Sequence, residues 1–81
     1  MGRLIPLFPL TAEQVDALFE QLVAIQHRLD DPVAQANPGF DVLALYGSQL
    51  NITTTLRVRG GLTSDEVAAR FVTELAKHTA R

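Results

Sequence analysis

Leu50-Asn-Ile-Thr-Thr-Thr-Leu-Arg-Val-Arg-Gly-Gly-Leu-Thr-Ser-Asp-Glu66 joins an alternating run to a double glycine and a helix cap. Leu50, Ile52, Thr54, Leu56 and Val58 alternate with Asn51, Thr53, Thr55, Arg57 and Arg59. A period of two predicts a strand with one buried and one polar face. Gly60 and Gly61 then permit a sharp reversal that larger side chains would block. Thr63 and Glu66 have the spacing of a capping box, which predicts a helix over 64–79. Val67, Ala68, Phe71, Val72 and Leu75 supply its buried stripe.

Immediately upstream, Gly47-Ser48-Gln49 fits a three-residue hairpin loop. Residues 40–46, FDVLALY, then read as the partner strand. Phe40, Val42, Ala44 and Tyr46 fall on one face of it, Leu43 and Leu45 on the other. Whichever set points inward, the other leaves large apolar groups on the uncovered side. That predicts a second contact, with another subunit or with a partner protein.

Further back, Asp31-Pro32 has the form of a cap followed by proline at the first helical position, so one helical turn is expected over 32–36. Asn37-Pro38-Gly39 ends it. Thr11 and Gln14 form another capping box and open a helix that stops near Asp30. Val15, Leu18, Leu22, Ile25 and Leu29 make its apolar stripe, widened by Phe19 and Val23. Residues 3–8, RLIPLF, read as a short strand that Pro6, lacking an amide hydrogen, confines to a sheet edge. The element order is β-α-β-β-α. The expected fold class is α+β: a small antiparallel sheet with two helices packed on one face, in a single domain over 1–81.

Composition bounds the function. A chain of 81 residues builds one small core, yet 47% of it is hydrophobic. Apolar surface that cannot reach so small a core favours self-association, as a dimer or larger. The formal net charge of -2 gives no basic stripe for nucleic acid. No apolar run approaches a membrane span. With no cysteine there is no disulfide and no thiolate metal site, which agrees with a cytoplasmic setting. The start, MGRLIPLFPL, lacks a small-residue cleavage site, and Pro6 stands where a myristoylation motif wants Ser or Thr. No metal and no cofactor are expected.

Several residues resemble the pterin-4a-carbinolamine dehydratase family. Arg3-Leu-Ile-Pro-Leu-Phe8 is similar to the family's apolar strand before its long helix; Ala17, Phe19 and Val23 resemble the pattern along that helix. Tyr46, Leu50 and Ile52 are similar to the following hairpin, and Gly60-Gly61-Leu62-Thr63 resembles the turn into the last helix. The resemblance implies an α+β scaffold and a dehydratase activity that uses histidines. Those histidines are absent: Asp30-Asp31-Pro32 stands nearest the family's His-His-Pro, and Arg57-Val58-Arg59 stands where a further histidine belongs. Carbinolamine dehydration needs proton transfer near neutral pH, which suits imidazole and not guanidinium. The resemblance therefore implies a non-catalytic binding or assembly module, in the manner of relatives that assist assembly of Rubisco. An active dehydratase with a rearranged site, and a small phage or accessory protein that inhibits a partner enzyme, are the alternatives.

The candidate site residues follow from this. Asp31 and His27 are the weak catalytic candidates. Asp31 reads more simply as a helix cap, and His27 as a cation near a helix C-terminus. Val42, Leu43, Leu45 and Tyr46 are the expected partner-binding residues, with Arg57 and Arg59 at the rim, where guanidinium groups can orient a carboxylate. Asn51-Ile52-Thr53 matches the glycosylation pattern, which carries no weight without a secretion signal.

Overall fold

The computed structural model describes residues 9–79. Within them the chain forms α1 (Ala12–Asp30), α2 (Pro32–Gln35), α3 (Val42–Val58) and α4 (Ser64–Thr79). The expected α+β class is overturned: among the described residues there is no strand, and the fold is all-α. The segments read as strands 40–46 and 50–59 join into one helix, and Gly47-Ser48-Gln49, read as a hairpin loop, lies inside it. The expected strand at 3–8 lies outside the described residues.

The physical reason is a second period in the same residues. Leu45, Gln49, Ile52 and Leu56 recur at spacings of four, three and four, which is one face of a helix. Leu56 and Ile52 are buried on that face, and Leu45 and Gln49 are half-buried. Of the alternating set only Ile52 and Leu56 go inside, whereas Leu50 and Val58 remain 66% and 64% exposed. Asp41 starts the helix by accepting a hydrogen bond from the Ala44 amide at 3.1 Å. The β-branched threonines are accommodated by bonding back along the helix. Thr53 Oγ1 donates to the Leu50 carbonyl at 2.9 Å, and Thr55 Oγ1 to the Asn51 carbonyl at 2.8 Å.

The other elements form as local chemistry dictates. Thr11 Oγ1 accepts from the Gln14 amide, and Gln14 Oε1 accepts from the Thr11 amide, closing the first capping box. Thr63 and Glu66 close the second in the same reciprocal way. Asp31 Oδ1 accepts from the Val33 amide at 3.0 Å, so its role is the expected cap of α2, with Pro32 at the start of the turn.

α3 returns antiparallel to α1. At one end the Leu10 amide donates to the Arg59 carbonyl at 3.1 Å, and further along Gln49 Nε2 donates to Gln26 Oε1 at 3.1 Å. After Arg59 the chain reverses through Gly61, whose φ of 70° lies in the left-handed region that favours glycine. The Leu62 amide then bonds to the Leu56 carbonyl, and α4 folds back against α1. Phe19 and Leu22 of α1, Ile52 and Leu56 of α3 and Val67 of α4 make the core. Leu10, Val15, Leu18, Ile25, Leu62 and Phe71 are packed around it. No helix among the described residues is long and apolar enough to cross a membrane.

Candidate functional site

The feature that the core does not explain is α3. No residue between Asp41 and Arg57 is charged, so the helix has an apolar character on more than its inward side. A helix of that kind is normally covered on several faces. Here Leu43, Tyr46 and Leu50 follow at spacings of three and four, which places them on one outward face. They are 81%, 55% and 66% exposed. Gly47 lies in the same stretch, with open space where a side chain would stand.

Beside that face runs a cleft of about 330 Å³ between α3 and α4. Leu22, Val67 and Phe71 give it an apolar floor. Gln49, Thr53 and Arg57 enter it from α3 at four-residue intervals, and Ser64 and Ala68 from α4. Tyr46 and Leu50 sit one row around α3 from these cleft residues, so face and cleft are continuous. Val72, on the exposed side of α4, adds a further apolar group.

The opposite flank of the molecule is chemically different. Arg70 of α4 lies over the Phe19 ring, with its guanidinium carbon 4.6 Å from the ring centre, and pairs with Asp16 of α1. Glu74 Oε1 lies 3.8 Å from Arg70 Nε and 3.5 Å from the Lys77 ammonium, as ion pairs. These charges seal the α1–α4 seam above the core.

The sequence-based candidates divide accordingly. Leu43 and Tyr46 stand on the outward face, with Val42 to one side at 40% exposure. Leu45 is on the inward stripe and half-buried, apart from Leu43, with which a strand would have kept it on one face. Arg57 borders the cleft. Arg59 does not share that border; it lies near Leu10, Gln14 and Leu18, in the groove between α1 and α3. His27 is exposed in the last turn of α1, and Asp31 caps α2; the structure does not bring either to the cleft. Among the described residues, no three His, Cys, Asp or Glu side chains cluster as a metal site would require.

Leu50 on the outward face, and Gln49, Thr53, Ser64 and Ala68 along the cleft, were not among the expected site residues. For Gln49 and Thr53 the signal was present in their four-residue spacing with Arg57, which marks one side of a helix. Comparison with protein-family models, with curated proteins and with solved structures finds no match to this chain.

Proposed function

We propose that the chain is a non-catalytic protein-binding module that associates with itself through the outer face of α3. The observation that carries this reading is the exposed row of Leu43, Tyr46 and Leu50 on a helix without charge between its ends. Each large apolar side chain withdrawn from water contributes about 1.5–3 kcal/mol, so a covered row is strongly preferred to an open one. Among the described residues, the cleft beside it offers no acid–base pair. Its polar groups are Gln49, Thr53, Arg57 and Ser64, with no histidine or carboxylate among them. A rearranged dehydratase site, which would need a proton-transfer group positioned over its substrate, therefore finds no support in the cleft. Assembly or inhibition of another protein would draw on the same apolar face.

The test is sedimentation of the purified protein at micromolar concentration. The parent should run above the 8.9 kDa of one chain. Leu43→Asp should return it to one chain, because association would bury an unpaired carboxylate, while the helical circular dichroism is retained. A parent that stays at 8.9 kDa at the highest soluble concentration overturns the reading.

A further inference from the structure

The cleft between α3 and α4 has two unlike ends. Next to the reversal through Gly61, Arg57 and Ser64 stand on its rim. Among the described residues no carboxylate lies within ion-pairing distance of Arg57, whereas Arg70 on the opposite flank is held by Asp16 and Glu74. The Ser64 hydroxyl makes no hydrogen bond to a described residue either. Asp65 and Glu66 follow in the first turn of α4, but neither lines the cleft, and the Glu66 carboxylate accepts from the Thr63 amide. Away from that end the floor is carbon: Leu22 and Val67 are buried and Phe71 is half-buried. Gln49 and Arg57 are eight residues apart on α3, so the cleft runs about 12 Å along the helix. Its volume of about 330 Å³ is that of a small-ligand pocket.

Each end alone is a weak site. An exposed guanidinium holds a free carboxylate only feebly in water, and bare carbon selects nothing by charge. Joined in one elongated hollow, they select a ligand that carries both halves. We infer that the cleft binds a single-chain aliphatic monocarboxylate. Its carboxylate accepts hydrogen bonds from the Arg57 guanidinium and the Ser64 hydroxyl, and its chain lies over Leu22, Val67 and Phe71. The cleft is formed within one chain, so this inference stands apart from whether chains pair.

The probe is sodium decanoate below its micellar range, titrated into the isotopically labelled parent and followed by amide NMR. Acetate and decanol serve as the head and the tail alone. Decanoate should give saturable shifts at Arg57, Ser64, Val67 and Phe71, and acetate none. Decanol should bind about tenfold or more weakly, for want of the charge-assisted hydrogen bonds. Arg57→Gln should lower decanoate to the affinity of decanol and leave decanol unchanged. Arg28→Gln removes the same charge from the last turn of α1, outside the cleft, and should bind decanoate like the parent. Ala68→Phe fills the cleft from an exposed position on α4 and should abolish binding of both chains, with helical circular dichroism retained. Equal affinity for decanoate and decanol, or equal losses in the two arginine variants, overturns the inference, because the head would then be held by net charge or not at all. Shifts that fail to saturate overturn it as well, since they mark diffuse adsorption to apolar surface.

Discussion

The α1–α4 seam and the outer face of α3 are built from different materials, and the difference tells which surface is finished. At the seam an apolar ring is roofed by a guanidinium, which is in turn held by carboxylates. Phe19 is 1% exposed beneath Arg70, and Asp16 and Glu74 flank the cation. Charged side chains with apolar stems can close the edge of a core because they cover carbon and keep their heads in water. α3 has no such residues between Asp41 and Arg57. Its outer face is left with Leu43, Tyr46 and Leu50 exposed. The buried side of α3 belongs to the core, whereas the outer side leaves large apolar groups in water, and it is on this contrast that the proposed self-association rests.

The largest expected effect tests this contrast. Phe19→Ala removes a ring that is central to the core and supports Arg70, and should cost about 3–5 kcal/mol. For a domain of this size that is comparable with the whole net stability of about 3–5 kcal/mol, so the variant should be mostly unfolded by circular dichroism. Leu50→Ala removes a large apolar side chain from the outer face, and in the dilute monomer should change stability by no more than about 0.5 kcal/mol. Urea unfolding of both, at a concentration below association, is the measurement. Similar losses for the two would show that the outer face of α3 is part of the monomer's core.

A smaller effect is expected where α3 ends. Gly61 holds a left-handed backbone with no neighbour near its missing side chain, so Gly61→Ala should suffer only the conformational penalty, about 1–2 kcal/mol. The same melts read it. An unchanged midpoint would mean that the reversal between α3 and α4 relaxes easily, and the cleft walls with it.

The parts of this fold that were legible in the sequence are those whose chemistry is local. Thr11 with Gln14, Thr63 with Glu66, and Asp31 with Pro32 each declare a helix start through side chains that bond their own backbone a few residues away. α1 and α4 also keep charge and apolar residues on separate sides, so one period dominates. In α3 two periods compete. Ile52 and Leu56 belong to both the alternating set and the helical set, and a polar Gln49 occupies the helical row where an aliphatic residue would have declared it. Three threonines in succession and a mid-helix glycine added strand and turn propensity that the long-range packing of α3 on α1 overrode. The exposed apolar face was legible in part for the same reason. Leu43 and Tyr46 were singled out from the excess of apolar residues around 40–46, and the structure leaves both exposed. Leu45 was singled out with them and is half-buried, while Leu50 was not and is exposed, because their sides depend on the period.

The last of these effects is small but the most telling, because its sign should differ between dilute and associated protein. Gly47→Ala adds a methyl group where one chain offers open space, in a helix interior where alanine is the better former. In the dilute monomer it should therefore raise stability, by about 0.5–1 kcal/mol. If chains pair through the outer face of α3, as proposed, the same methyl group adds bulk to that face, so association should weaken. Thermal melts at low concentration and sedimentation at high concentration, on the same variant, read the two effects separately. A higher melting temperature with weaker self-association places the reason for the glycine at the interface. A higher melting temperature with unchanged association would show that any pairing does not use the part of α3 around Gly47.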